Sequence, residues 1–111
     1  MYGYHGQILN VDLTSGTSEV ERYGEAFARA YLGGNGFAVR LLYDRMAAGT
    51  DPYDPASLAV FACGPISDTP VFGSSRAYTA CKSPLTGRYF DSTFGGRFAQ
   101  TLKRTGFEAV A

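Results

Sequence analysis

The chain has 111 residues, 45% of them hydrophobic and 14% aromatic, and its ten basic residues balance ten acidic ones. This length fits one small domain or part of a larger protein, and the apolar fraction is that of a folded chain rather than a disordered one. The balanced charge argues against nucleic acid and membrane surfaces as partners, and neither a membrane span nor a signal peptide is visible, so we expect a cytoplasmic protein.

The first half of the chain is predicted to form a hairpin followed by two helices. Gly6–Leu13 and Ser18–Tyr23 alternate apolar and polar residues on either side of a Thr-Ser-Gly-Thr turn, which is typical of paired strands. A short amphipathic helix follows in EAFARAYLGG, and a second helix runs from about Phe37 to Ala47. The glycine cluster at residues 33–36 follows a helix and lacks the third glycine of a dinucleotide-binding loop, so it predicts a helix-to-helix connection.

The second half begins with a strongly apolar run after a loop rich in Asp-Pro steps. Leu58–Cys63 fits a buried central strand, although so short a run also fits a buried helix. Ile66–Ser75 contains proline, glycine and serine and is predicted to be irregular. Arg76–Lys82 and Arg88–Ser92 then form a second predicted hairpin, across a turn that contains proline and ends in glycine.

A helix is predicted after Gly96, with basic residues in its last turn and Gly106 as its end. The apolar run FEAVA that follows has the pattern of a strand. A strand at this place needs neighbours, and we expect them to lie outside the 111 residues. The fold class predicted from these elements is α+β, strand-rich with short helices and truncated.

The stretch from residue 73 to residue 96 combines features that suit a phosphate group. Arg76 offers a planar set of donors, and Gly95 and Gly96 allow a ligand to approach main-chain N–H groups near a helix start. Thr93 can either cap that helix or turn its hydroxyl toward a ligand. The structural alternative is a salt bridge for Arg76 and a glycine pair needed only for a tight bend.

No other group forms a convincing catalytic or metal-binding set. Cys63 and Cys81 lie eighteen residues apart without CxxC spacing, which favours a buried, reduced pair over a disulfide or a metal site. His5 has no second ligand at metal-binding spacing and is expected to be a surface or packing residue. The sequence therefore predicts no catalytic residue and no metal ligand.

Several segments resemble the N-terminal domain of tungsten-containing aldehyde:ferredoxin oxidoreductases. They are MYGYHGQILNVDLTSG, YLGGNGFAVRLLYD, the Gly64-Pro65 step, and SSRAYTACKSPLTG followed by DSTFGGRFAQTLKRTGFEAV. The KSPLTG block with the GG-x-F-x-x-x-L-K-x-x-G run is the most specific part. The resemblance covers the chain in order and identifies residues 1–111 as such a domain, incomplete at its C-terminal end.

The resemblance implies a cofactor, a reaction and a set of binding residues. Members of this family hold tungsten between two pterin dithiolenes (tungstopterin) and carry a [4Fe–4S] cluster, here expected only in domains outside the chain. They oxidise small aldehydes to carboxylic acids with ferredoxin as electron acceptor, and a homo-oligomer is left open. Carried over to this sequence, the cofactor-binding positions are Arg76, Thr93 and Gly95, with Gly96 as a neighbour. The family often has asparagine where this sequence has Thr93. The resemblance also implies a contact at this position to a magnesium ion that bridges the pterin phosphates.

Two other functions fit the same sequence. One is a related tungsten enzyme that reduces an aromatic thioester, because the substrate pocket of either enzyme would lie outside this chain. The other is a stand-alone phosphate- or pterin-binding module without catalytic activity. If the chain is part of either tungsten enzyme, the 111 residues alone would be inactive. We then expect them to be poorly soluble or partly unfolded.

Overall fold

The computed structural model describes residues 1–111 without a gap, as one six-stranded mixed sheet with three helices, so the predicted α+β class is confirmed. All predicted strands and helices are present, with ends within two residues of the predicted ones. No helix has both the length and the apolar character needed to cross a bilayer. The elements in chain order are β1 (Gln7–Asp12), β2 (Thr17–Arg22), α1 (Glu25–Tyr31), α2 (Asn35–Arg45), β3 (Ala59–Cys63), β4 (Ala77–Lys82), β5 (Tyr89–Phe94), α3 (Phe98–Arg104) and β6 (Ala109–Val110).

The last strand of the sheet joins the β1–β2 hairpin to the three antiparallel strands β3, β4 and β5, in the order β2-β1-β6-β3-β4-β5. β6 runs parallel to β1 and antiparallel to β3. The Ala111 N–H donates to the Leu9 carbonyl at 2.9 Å, and the Val11 N–H donates to the Ala111 carbonyl at 2.8 Å. The expectation that this strand has its neighbours outside the chain is therefore wrong: they are strands that come much earlier in the sequence.

One face of the sheet, called here the α2 face, is covered by α2 and α1. Its core side chains include Ile8, Val60 and Ala80, which pack against Phe37 and Leu41 of α2. The three apolar residues contribute almost no exposed surface, and Phe37 is fully buried. Burial of this apolar surface is the main force that holds α2 on the sheet.

The opposite face, called here the α3 face, is only partly covered. Cys63 and Ala77 pack under Ala99 and Leu102 of α3. This face also carries large apolar side chains that remain more than a third exposed. They are Val11, Val20, Phe61 and Phe90 in the strands, with Phe98 at the start of α3.

The glycine cluster between α1 and α2 is a close-packing feature, and the predicted helix-to-helix connection is confirmed. A Cβ atom on Gly36 would lie 2.0 Å from the Tyr31 carbonyl oxygen, and one on Gly34 would lie 2.9 Å from the Tyr78 ring. Gly34 also has φ +51°, a conformation that favours glycine. These glycines let α2 begin directly against β4.

A buried ion pair that the sequence did not predict connects the start of the chain to β6. Glu108 is fully buried, and its carboxylate accepts hydrogen bonds from the Lys103 ammonium at 3.0 Å and the Tyr23 hydroxyl at 2.6 Å. The His5 main-chain N–H donates to the same carboxylate at 2.7 Å, and the His5 ring lies 3.1 Å away. His5 is thus a packing residue, as expected, with a specific acidic partner that sequence spacing did not reveal.

Candidate functional site

Arg76 and Gly95 lie opposite each other where the β4–β5 hairpin leaves the sheet. The last paired residues are Ala77 and Phe94, so the next step of the register places Arg76 opposite Gly95. A Cβ atom on Gly95 would lie 3.3 Å from the Arg76 Nη1 atom. The absence of a side chain at Gly95 therefore lets the guanidinium lie close against the backbone of the opposite chain segment.

The Arg76 guanidinium is exposed and has no acidic partner. Four other arginines form ion pairs with carboxylates, whereas no ion pair or side-chain hydrogen bond involves Arg76. The salt-bridge alternative for Arg76 is therefore wrong. A planar cation with free donors on an open surface can bind an anionic oxygen without first breaking an internal contact.

A run of unpaired main-chain donors lies beside Arg76. The N–H groups of Gly95, Gly96 and Arg97 donate to no acceptor within the protein. Gly96 has φ +84°, which a residue with a side chain rarely adopts, so the chain turns here because glycine allows it. The helix itself begins two residues beyond the glycine pair, at Phe98. Free main-chain N–H groups in a turn are donors that an anion can use.

Thr93 lies on β5, on the same sheet face as Arg76 and Gly95, and pairs with Tyr78 of β4. Its side chain is exposed and takes part in no hydrogen bond within the chain, so its hydroxyl is free. The N-cap of α3 is Arg97, which has no side-chain cap bond. The suggestion that Thr93 caps this helix is therefore wrong.

A polar network on the same face joins α2 to β5. The Tyr89 hydroxyl donates to the Asn35 side-chain oxygen at 2.5 Å and lies 2.9 Å from the Asp91 carboxylate. The Asn35 amide also donates to Asp91, at 3.0 Å. Burial and the neighbouring Asp91 charge raise the pKa of Tyr89, which keeps this hydroxyl protonated. The Asp91 carboxylate, two residues before Thr93 on β5, is therefore already hydrogen-bonded within the chain.

The larger concave surfaces of the molecule lie elsewhere. A groove of about 630 Å³ between α2 and the far end of the β4–β5 hairpin is mostly apolar, and its one charged group, Lys82, already donates to the Thr50 carbonyl at 2.5 Å. No group of three or more histidine, cysteine or acidic side chains is arranged to hold a metal ion.

Both cysteine thiols are free, but only Cys63 is buried, and Cys81 is partly exposed. Burial raises the pKa of the Cys63 thiol to about 11.

The structure thus brings together all four residues predicted to bind the cofactor, and it adds Ser75, which the sequence did not single out for this surface. The Ser75 hydroxyl donates to the Gly96 carbonyl oxygen, across the hairpin from its own strand. A serine directly before Arg76 was visible in the sequence. Its partner was not, because the contact joins residues that are brought together only when β4 pairs with β5.

Comparison with known proteins shows similarity over nearly the whole chain. The family described as "Aldehyde ferredoxin oxidoreductase, N-terminal domain" matches residues 8–111. A tungsten-containing aldehyde ferredoxin oxidoreductase of Pyrococcus abyssi is 39% identical over 110 residues, which is 99% of this chain and 18% of that protein. A glyceraldehyde-3-phosphate:ferredoxin oxidoreductase of Pyrococcus furiosus is 40% identical over 60 residues, covering 54% of this chain and 9% of that protein.

A solved structure has the same fold at 34% identity and a TM-score of 0.94. It is described as the active site complex BamBC of benzoyl coenzyme A reductase in complex with 1,5-dienoyl-CoA, and the match covers 98% of this chain and 17% of that one. The chain therefore spans less than a fifth of the length of the aldehyde ferredoxin oxidoreductases and of this structural neighbour.

Proposed function

Because the chain belongs to the aldehyde ferredoxin oxidoreductase family and matches its N-terminal domain, we propose that it forms part of the tungstopterin-binding surface of a longer oxidoreductase. The observation that carries the proposal is the unpaired Arg76 guanidinium packed against Gly95, beside N–H groups that have no acceptor. In this proposal the longer protein oxidises an aldehyde to a carboxylic acid, with ferredoxin as electron acceptor.

The residues present suit a phosphate-bearing pterin. When bound, the tungsten–dithiolene group supplies the redox chemistry. The Arg76 guanidinium would donate to a phosphate oxygen of the cofactor, and the free Gly95 and Gly96 N–H groups would supply further donors for it. This chain's own contribution is to bind and orient the cofactor, and the [4Fe–4S] cluster belongs to other parts of the longer protein.

Thr93 is proposed as the fourth contact of this surface. Its hydroxyl has no partner within the chain and lies on the same face as Arg76. A threonine oxygen or its main-chain carbonyl supplies a ligand of the kind magnesium prefers, so a magnesium ion bridging the pterin phosphates is compatible with threonine at this position. A contact that required the side-chain amide of asparagine would be absent.

The likeness to a benzoyl coenzyme A reductase complex supports a second candidate function, the reduction of an aromatic thioester. Both candidates assign the same role to this chain. The stand-alone binding module receives less support, because the relatives that match the whole chain are several times longer.

Replacement of Arg76 tests the proposal. In a full-length protein that carries this domain, we expect Arg76→Ala to remove a charge-assisted contact of about 1.5–3 kcal/mol, which weakens cofactor affinity about tenfold or more and lowers cofactor occupancy. Tungsten is measured by elemental analysis, and the pterin by fluorescence after oxidative release.

Arg88→Ala is the matched control. Arg88 is also exposed and lacks an ion pair, but it lies at the opposite end of the same hairpin. Its replacement should leave both contents at the parent level. Normal tungsten and pterin content in Arg76→Ala would refute the proposed role.

A further inference from the structure

The Ser75 hydroxyl joins two chain segments that main-chain pairing leaves separate. The β4–β5 ladder stops at the pair Ala77 and Phe94, and beyond it no main-chain hydrogen bond joins the two segments. The Ser75 hydroxyl donates to the Gly96 carbonyl oxygen across this gap. It is the one side-chain hydrogen bond that joins residues 73–76 to residues 95–97.

The loop that carries Ser75 is itself held in place. Ser74 is buried, its hydroxyl donates to the Thr69 carbonyl at 3.1 Å, and its N–H donates to the Val71 carbonyl at 3.2 Å. The Arg76 N–H in turn donates to the Ser74 carbonyl at 3.0 Å. Ser75 therefore stands on a fixed base, directly before the arginine of the proposed phosphate site.

The bond also sets the orientation of the peptide that follows Gly96. In a trans peptide the C=O and N–H groups point in opposite directions, so the Arg97 N–H points away from Ser75. This N–H has no acceptor within the protein. Because Ser75 binds the carbonyl oxygen of the Gly96–Arg97 peptide, the N–H of the same peptide is free to donate to an anion on the side away from Ser75.

We propose that Ser75 is a positioning residue of the phosphate-binding surface, which holds the Gly96 peptide at a fixed distance and orientation relative to the Arg76 guanidinium. The inference rests on the proposed function. It adds a residue that touches no ligand atom and acts through two neighbours, the Gly96 carbonyl and Arg76. Without the bond, the Gly95–Gly96 turn would have to be ordered by the ligand, and the ligand would bind more weakly.

The test measures, by calorimetry, the binding of inorganic pyrophosphate to a cofactor-free full-length protein that carries this domain. We expect Ser75→Ala to raise the dissociation constant about fivefold, the effect of one ordinary hydrogen bond. Ser75→Thr keeps the hydroxyl and should restore binding to near the parent value. Ser15→Ala is the control, because the Ser15 hydroxyl meets Thr17 in the distant β1–β2 turn.

The outcomes separate this inference from the function on which it rests. If Arg76→Ala weakens pyrophosphate binding and Ser75→Ala does not, the positioning role is wrong and the phosphate site stands. If Ser75→Thr binds as weakly as Ser75→Ala, the hydroxyl is not the cause and the inference is also wrong. If Arg76→Ala binds pyrophosphate as tightly as the parent chain, the proposed function itself fails.

Discussion

At the scale of single residues, the candidate site depends on the Arg76 side chain and equally on the lack of a side chain at Gly95. Arg76 is exposed and unpaired, and a flexible arginine in that state samples many rotamers. Gly95 leaves room for the guanidinium close to the backbone, in a place that a Cβ atom on residue 95 would crowd. The site therefore needs both the arginine and the absence of a side chain at residue 95.

Gly95→Ala is therefore expected to weaken anion binding without unfolding the protein. Gly95 does not have a positive φ, so alanine fits the backbone, but its Cβ atom would lie 3.3 Å from Arg76 Nη1 and displace the guanidinium. We expect pyrophosphate to bind severalfold more weakly, measured by calorimetry, with the free energy of unfolding changed by no more than about 0.5 kcal/mol.

Gly64→Ala is the control for this substitution. Gly64 also lacks a positive φ, and a Cβ atom there meets nothing within 4 Å. Its replacement should leave both pyrophosphate affinity and stability unchanged. Unchanged affinity in Gly95→Ala would show that close contact with the backbone is not what positions Arg76.

At the scale of elements, the buried pair Glu108 and Lys103 joins α3 to the segment that enters β6. Burial alone would raise the pKa of Glu108, but hydrogen bonds from Tyr23, the His5 N–H and Lys103 outweigh burial and lower it. The charged carboxylate is thus stabilised by three parts of the chain that are distant in sequence. Breaking one partner would leave the other charge buried without compensation.

The lowered pKa of Glu108 predicts an acid sensitivity with a definite sign. Because the folded-state pKa lies below the unfolded value, this carboxylate stabilises the fold fully above the usual pKa of 4.5, and its contribution is lost as the pH falls through the folded-state pKa. Glu108→Gln should lower the free energy of unfolding at neutral pH by about 3–5 kcal/mol and remove this part of the acid dependence. Denaturant titrations between neutral and acid pH measure both effects.

Glu25→Gln provides the comparison. Glu25 forms an exposed pair with Arg29 one turn away in α1, and such pairs contribute at most about 1 kcal/mol. This variant should retain both the stability and the acid profile of the parent chain. If Glu108→Gln loses stability in acid as steeply as the parent, the carboxylate does not cause the acid sensitivity.

Local patterns were sufficient to predict every strand and helix of this fold, whereas partners distant in sequence were not predictable. Alternation, glycines and turn residues act over a few positions, and they placed Arg76, Gly95 and Gly96 around one hairpin end. The neighbours of β6, the acidic partner of Lys103 and the contact of Ser75 depend on tertiary packing. Such contacts leave no periodic signal in one sequence.

At the scale of the whole molecule, the two sheet faces differ in how well they are covered. α1 and α2 cover one face, whereas the α3 face exposes several large apolar side chains, among them Val20, Phe61 and Phe90. Soluble monomers rarely expose an apolar surface of this kind. The low solubility that we expect for the isolated chain is therefore attributed to the exposed α3 face. It is not attributed to an unpaired β6, because β6 has its neighbours within the chain.

The isolated chain is therefore expected to self-associate through the α3 face. The double variant Val20→Thr, Phe90→Thr keeps residues that favour strands and removes apolar surface, so it should lower the apparent mass at high concentration, measured by sedimentation velocity. Tyr53→Thr, which changes an exposed aromatic residue in the loop before β3, should not. Equal self-association of the double variant and the parent would show that another surface is responsible.

The central place of β6 also determines the order in which the chain can fold. The β1–β2 and β4–β5 hairpins contain only contacts between near neighbours in sequence and can form as soon as their residues are available. Their union into one sheet requires β6, which the ribosome makes after every other strand. Until then the edges of β1 and β3 remain open to other chains, so this fold is most exposed to misassembly before β6 has been made.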